Sequence, residues 1–354
     1  MSICRLQVTD FRCLQSATLD LDARFTLISG ANASGKTSLL EAIYVLGRGR
    51  SFRTRRLEHL MRRGSERFIV FGDVDAFHRR VSLGVEGSAS GVRAKLGGAK
   101  ANTLAELATL LPVQIIDPEI HHLIDEGPSR RRRFLDWGVF HVEPRFVKDW
   151  QRYQQVLKQR NAALKSRQPR AVTAAWDSDL VRCGEAMSAA RSRYVDLLAV
   201  SAVGIVRNLL DMELSIRYRR GWDASLGLSE ALRGSWNLDQ ECGATLVGPH
   251  RDELNIRLNG AAVKDRISRG QQKLLAAALL MAQIKLFPAE SPVRPSLLLD
   301  DPAAELDNER LTALIGEVAS QTTQLIVTTL HPEFSEFGAP GLRYRVHGGA
   351  VQRV

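Results

Sequence analysis

Gly30-Ala31-Asn32-Ala33-Ser34-Gly35-Lys36-Thr37-Ser38 is the stretch that decides the fold. It fits the P-loop pattern, and each residue type has a physical reason. The glycines let the backbone wrap so that its N–H groups face phosphate oxygens. Lys36 supplies a cation for the β and γ phosphates, and the Thr37 hydroxyl suits Mg²⁺. The context also fits. Phe25-Thr26-Leu27-Ile28 before the loop is a strand pattern, and Thr37–Leu46 after it is a helical run. That helix adds the partial positive charge of its N-terminus. The nine residues are therefore expected to bind ATP, in an α/β fold.

Working outward, Ile3, Leu6 and Val8 suggest a first strand. Residues 17–28 suggest two more, and residues 68–96 antiparallel hairpins punctuated by glycine. From about 130 to 210 the period becomes helical. Trp150, Tyr153 and Leu157 share one face. A second run passes through Leu180, Cys183, Met187, Ala190, Tyr194, Leu197, Ser201, Ile205 and Leu209. Two antiparallel helices of moderate length, broken near Lys165–Arg170, are the simplest reading. Strands are expected over 245–260 with Asn259-Gly260 as a hairpin turn, then a helix over Gln271–Leu286.

Further motifs follow. Ser296-Leu-Leu-Leu-Asp300-Asp301 reads as a buried strand delivering acids at its C-terminal end. Asp300 is expected to hold Mg²⁺ through water, and Asp301 to act as the general base. An ordinary acidic turn is the alternative. Ile267-Ser268-Arg269-Gly270-Gln271-Gln272 opens the preceding helix. It resembles the ABC-type ATPase signature, in which a serine hydroxyl and a glycine amide at a helix N-terminus meet a γ-phosphate. Ser268 as a plain N-cap is compatible with that role. Gln114 resembles a Q-loop glutamine, Ala304-Glu-Leu-Asp307 a D-loop, and His331 a switch histidine. For His331 a capping or surface role is the alternative.

Forty-nine Lys and Arg against 39 Asp and Glu give a net charge of +10, which favours a polyanionic partner over none. Arg48, Arg50, Arg53, Arg55, Arg56, Arg62, Arg63 and Arg67 form a dense run, the preferred phosphate-contacting surface. Arg130–Arg133 form another, and Lys158, Arg160, Lys165, Arg167 and Arg170 a third. No recognition-helix motif appears, so binding should be sequence-blind and salt-dependent. No stretch nears the roughly 18 apolar residues of a membrane span, and the N-terminus lacks a signal pattern, so a cytoplasmic protein is expected. Cys4, Cys13, Cys183 and Cys242 show no metal-ligand spacing and are expected as buried reduced thiols.

With these motifs in hand, the chain resembles the RecF family, itself similar to SMC heads. The resemblance rests on Leu6-Gln-Val-Thr-Asp-Phe11-Arg12, Pro118-Glu119, Gly127-Pro128 with Arg131–Trp137, and Gly248-Pro249-His250-Arg251-Asp252. Glu126 and Ala304 depart from the family's usual glycine and serine. Asp301 stands where most ABC ATPases use glutamate, which predicts slow hydrolysis.

The resemblance implies an ABC head from 1–120 and 245–354 with an inserted helical arm, 121–244. It implies an ATP-dependent homodimer in which Ser268, Gly270 and Gln271 serve the other subunit's nucleotide. Gln114, Asp301 and His331 would be catalytic, and Gln114 would also join Thr37 and Asp300 at the Mg²⁺, sensing it and the water. The dimer would clamp duplex DNA at single/double-strand junctions and, with RecO and RecR, promote RecA loading and SOS induction. Two rival readings remain, an ATP-gated scaffold without hydrolysis and a transporter ATPase subunit. The transporter is disfavoured because its P-loop and signature lie much closer together than Lys36 and Ser268. An SMC-like head with coiled coil is disfavoured by the short insert.

Overall fold

The computed structural model describes every residue except 1, 77–78, 264–265, 289–294, 303–307, 321–323, 333 and 335. The chain opens with β1 (Ser2–Phe11), β2 (Leu14–Asp20), β3 (Phe25–Gly30), α1 (Lys36–Arg48), β4 (Arg67–Ala76), β5 (Arg79–Ser88), β6 (Gly91–Leu96), β7 (Ala99–Lys100), α2 (Leu104–Leu110) and β8 (Val113–Ile116). It continues with α3 (His122–Asp125), α4 (Pro128–Val142), α5 (Phe146–Lys165), α6 (Arg170–Ala174), α7 (Asp177–Leu210), β9 (Leu214–Arg219), α8 (Leu228–Gly234), α9 (Trp236–Cys242), β10 (Glu253–Leu258), β11 (Ala261–Ala262) and α10 (Arg269–Lys285). It closes with β12 (Ser296–Asp300), α11 (Asn308–Ala319), β13 (Gln324–Thr329), β14 (Leu342–His347) and β15 (Ala350–Arg353). Two compact units result, Met1–Ile120 with Pro288–Val354, and His121–Phe287.

The first unit contains two six-stranded sheets. One is antiparallel, in the order β2-β1-β4-β5-β6-β7. Along β1 the buried positions Ile3, Leu6 and Val8 are spaced three and then two apart. A bulge between Ile3 and Arg5 absorbs the extra residue and restores the phase. The other sheet runs β15-β14-β3-β13-β12-β8, parallel throughout except for β15. Every residue of β12 and β13 is buried, as expected for parallel strands covered on both faces. Helix α1 contributes Leu39, Ile43 and Leu46 to a core shared with residues of both sheets. Gly72 makes room for it, since a Cβ there would lie 2.5 Å from Leu46 Cδ2.

The second unit is built on α7, 34 residues long, with α4, α5 and α10 packed against it. The expected pair of moderate helices is therefore replaced by α4, α5, short α6 and a long α7. Pro144 lies between α4 and α5, and Pro169 precedes α6. Leu197 of the apolar run lies on the outer face of α7, 49% exposed. Residues 245–252 form no strand; they lead into a single helical turn, Pro249–Arg251, and Asn259-Gly260 turns β10 into β11. Residues 245–287 pack within this unit, because β10 pairs with β9 in a three-stranded sheet and α10 lies along α7. The thiols correct the sequence expectation: Cys183 is buried, Cys4 half-buried, and Cys13 and Cys242 exposed. Cys13 falls in the β1–β2 turn and Cys242 ends α9.

Candidate functional site: a nucleotide cradle and its arginines

The parallel sheet brings the predicted nucleotide residues together. β3 delivers the P-loop, and β12 lies one strand away with β13 between them. Ala33 and Gly35 take left-handed backbone angles (φ 60° and 116°) that curl the loop. A Cβ on Gly35 would lie 3.1 Å from Leu14 Cδ2 and 3.2 Å from Cys13 Sγ, so the loop is pressed onto the β1–β2 turn. Lys36 Nζ donates to Gly30 O (2.7 Å) and Ala31 O (3.0 Å), which holds the ammonium against the loop. Burial lowers its pKa, and Asp301 and Asp300 oppose that shift.

Thr37 Oγ1 donates to Asp300, 3.0 Å from Oδ1 and 2.9 Å from Oδ2. Thr328 Oγ1, from β13, donates to Asp300 Oδ1 at 2.7 Å. Asp301 sits at φ 49°, with its N–H donating to Thr328 O at 3.1 Å. Burial raises the Asp301 pKa, Lys36 lowers it, Asp300 raises it and His331 lowers it. Lys36, Asp300, Asp301 and His331 are thus close enough to share one electrostatic field. His331 is exposed, with its N–H on Thr329 Oγ1.

These residues fit a nucleotide with a divalent cation. The hydroxyl and carboxylate oxygens of Thr37 and Asp300 are hard donors suited to Mg²⁺. Ser34 Oγ is buried and finds no partner among the described residues, a polar atom that a phosphate oxygen would satisfy.

Gln114, expected at the nucleotide, is not at this cluster. Gln114 pairs in register with Leu297, three residues short of Asp300, or roughly 10 Å back along the sheet. It is buried, and its Oε1 accepts from Arg48 Nη2 at 3.1 Å. Arg48 also donates to Val113 O (3.1 and 2.9 Å) and lies over the Tyr44 ring at 5.2 Å. Burial brings its pKa down to about 10. Arg48 therefore ties α1 to β8 and does not join a phosphate-facing surface.

The other arginines divide the same way. Arg50, Arg53, Arg55, Arg56, Arg63 and Arg67 are exposed, while half-buried Arg62 pairs with Asp10 at 2.7 Å. Arg131 is bidentate with Glu253, Arg130 pairs with Glu126, and Arg132 donates to Asp252 O. Arg160 is fully buried between Asp177 and Asp239. In the second unit Ser268 caps α10 in a reciprocal box, Gln271 N to Ser268 Oγ at 3.2 Å and Ser268 N to Gln271 Oε1 at 3.0 Å. Ser268 is exposed, and Gly270 and Gln271 half-buried. Ala304–Asp307 lie outside the described residues.

Thr328 escaped the sequence reading, although Thr328-Thr329 at the end of an apolar strand is a readable signal. So did Glu41. It is fully buried, and it accepts from Arg12 Nε (2.8 Å), Arg12 Nη2 (2.7 Å) and Ser51 Oγ.

A P-loop following a parallel strand, joined across the sheet to an acid-tipped strand, defines a P-loop ATPase head. The RecF/RecN/SMC N terminal domain matches residues 2–346. The DNA replication and repair protein RecF of Yersinia pseudotuberculosis serotype O:1b (strain IP 31758) is 38% identical, with 99% of each chain covered. The solved structure of the recombination mediator RecF with ATP superposes with a TM-score of 0.89 at 27% identity, covering 100% of this chain and 97% of that one. An SMC head bound to the C-terminal winged-helix domain of ScpA has a TM-score of 0.61 at 18% identity, a likeness of fold, with 100% and 97% covered. The chain belongs to the RecF family.

Proposed function

We propose that the chain is an ATP-gated DNA-binding protein of recombinational repair and replication. The observation that carries this is the convergence of Thr37 and Thr328 on Asp300, with Lys36 on the loop close enough to feel the charge of Asp300 and Asp301. ATP and its Mg²⁺ supply the binding energy that favours the closed assembly and the phosphoanhydride that is later cleaved. Lys36 and the loop amides would hold the phosphates, the buried Ser34 hydroxyl would gain its partner, and Thr37 and Asp300 would hold the metal. Asp301 accepts a proton from the attacking water at its carboxylate. Its raised pKa favours that role, while its short side chain keeps turnover slow. His331 steadies the same charge.

Ser268, Gly270 and Gln271 meet the nucleotide of a second copy, so ATP binding makes a homodimer and hydrolysis releases it. Arg50, Arg53, Arg55, Arg56 and Arg63 contact the phosphates of duplex DNA near a single-strand gap. The names of the relatives support this reading, and the pathway named for the ATP-bound relative, RecFOR, points to RecO and RecR as partners. RecA loading, with SOS induction downstream, is then the output, in the cytoplasm. Among the described residues no helix is long and apolar enough to cross a membrane.

The test is sedimentation of wild type and Lys36→Arg with ATP and Mg²⁺, with and without gapped DNA. Dimerisation that needs both ATP and Lys36 is expected. A dimer that forms equally without ATP sinks the reading. Phosphate release with and without DNA separates the hydrolysing clamp from a scaffold that only binds.

A further inference from the structure

The second unit carries a concavity that none of the nucleotide chemistry uses. It is an open pocket of about 960 Å³ beside the end of β9, and Arg219, Arg220 and Arg251 line it. Two chain segments are clasped to make it. Gly248 N donates to Gly221 O at 3.2 Å, and Gly221 N donates to Asp252 Oδ1 at 2.8 Å. The approach is so close that a Cβ on Gly221 would lie 2.2 Å from Gly248 O and 2.7 Å from Arg251 Cβ. Arg220 and Arg251 thereby come from different segments to one rim.

The charge of this pocket is only partly compensated. Several arginines elsewhere in the unit are neutralised: Arg131 by Glu253, Arg160 by Asp177 and Asp239, Arg191 by Asp136 and Asp252, Arg193 by Glu143. Among the described residues no carboxylate pairs with Arg219, Arg220 or Arg251. Two acids lie nearby. Asp252, under the floor, is saturated by Arg191 Nη1 (2.7 Å), the Tyr218 hydroxyl and Gly221 N. Asp223 lines the pocket, with its Oδ1 turned to the Ser225 N–H and hydroxyl. Three exposed guanidiniums thus face one concavity with one acid on its wall.

Resting on the DNA-binding reading above, we infer that this pocket binds the unpaired strand of a single/double-strand junction. Guanidinium forks suit phosphate oxygens bidentately, which a point cation does not. Arg220 lies over the Trp222 ring at 5.8 Å, and Trp222 itself is buried, so the ring fixes the guanidinium as a flat plate. Bases of a single strand stack on such planes. The volume is that of a ligand pocket and admits a nucleotide or two. In a paired duplex every base is already stacked on its neighbours, so none is free to lie on the guanidinium plate. The pocket would therefore supply what a purely phosphate-tracking surface lacks, a means of telling a gap from continuous duplex.

The test is fluorescence anisotropy of the full-length ATP-bound protein on two labelled DNAs, a blunt duplex and the same duplex with a 3′ oligo-dT tail. It is run for wild type and for Arg219→Gln/Arg220→Gln/Arg251→Gln. All three side chains are exposed, and unchanged blunt-duplex binding certifies the fold. The variant should lose about tenfold on tailed DNA, and its log-affinity against log-salt slope there should be shallower by about 2, as for three phosphate contacts to a single strand. Unchanged tailed-DNA affinity and slope overturn the inference. An equal loss on both DNAs overturns the single-strand assignment. Displacement of the tail by polyglutamate as readily as by oligo-dT would make the pocket a site for acidic peptides instead. A wild type that binds neither DNA removes the DNA-binding reading itself, and the pocket's role with it.

Discussion

Arg160→Met separates arginines that build the fold from arginines that meet DNA. The sequence places Arg160 among cations expected at the tip of a helical arm. In the structure its side chain is fully buried. Nε donates to Asp177 Oδ1 at 2.8 Å, and Nη1 donates to Asp239 Oδ2 at 2.7 Å and Thr245 Oγ1 at 2.8 Å. Methionine keeps an apolar stem and removes the charge. Thr245 retains its bond to Asn161 Oδ1, and Asp239 Oδ1 retains Leu246 N at 2.9 Å. The other oxygen of Asp239, itself fully buried, is left as an uncompensated charge. Breaking one partner of such a pair costs about 3–5 kcal/mol. At about 2–4 °C per kcal/mol for a unit of this size, the melting temperature should fall by roughly 10 °C. Adding Asp239→Asn removes the stranded charge and keeps an acceptor for Leu246. The double variant should therefore recover about 1–3 kcal/mol relative to Arg160→Met. Thermal and urea denaturation measure both. DNA affinity of the variant, taken well below its transition, should match wild type. A variant with wild-type stability and tenfold weaker DNA binding would refute the reasoning, because it would make Arg160 a phosphate contact.

Three further outcomes are expected. Arg48→Met should lower stability by about 2–3 kcal/mol through lost charge-assisted bonds to Val113 O and Gln114, with an unchanged salt slope of DNA binding; a slope shallower by about one would return Arg48 to the DNA surface. Burial depresses His250 from 6.5 to about 4 in the folded chain, so its contribution is complete above pH 6.5 and disappears as pH falls toward 4, a loss of about 3 kcal/mol. Buried Asp252, with its pKa raised, acts in the opposite sense over its own window. The difference between wild type and His250→Gln across that range isolates the histidine, and parallel stability curves would contradict the assignment. Asp301→Asn should keep ATP binding, slow phosphate release by about a hundredfold and trap the dimer; unchanged turnover would place the base elsewhere.

What the sequence made legible depended on range. The P-loop, the Asp300 strand and the Ser268 box are chemistry within a few residues, and their geometry follows from local backbone rules. Arg48, Arg131 and Arg160 were legible as charge but not as place. Their most distant partners are 66 to 122 residues away, and nothing in an arginine-rich run says which guanidinium turns inward. Gln114 was misplaced for a related reason. A glutamine after an apolar strand and a glutamine within one look alike until the register with Leu297 is known. The bulge at Ile3/Arg5 is the converse, an irregular spacing that the sequence displayed and only pairing explains.

Glu41 gives the arginine run and the nucleotide loop a common mechanical reference. It lies one turn beyond Lys36 on α1, fully buried. Its carboxylate is gripped by Arg12 from the β1–β2 turn and by Ser51 Oγ, and Arg53 Nη1 lies 3.9 Å away. Ser51 Oγ in turn accepts from Arg53 N at 2.9 Å and Thr54 N at 3.1 Å, which sets the backbone from which Arg53, Arg55 and Arg56 project. At its other end α1 is tied to β8 by Arg48. Glu41 thereby links the helix that begins at Lys36 and Thr37 to the segment that carries the exposed arginines. Neutralising Glu41 would cut that connection at its centre. Arg12, the Ser51 hydroxyl and the nearby Arg53 give the Glu41 carboxylate the hydrogen bonds and positive charge it would otherwise take from water, and this is why a carboxylate is tolerated at a position with no exposed surface.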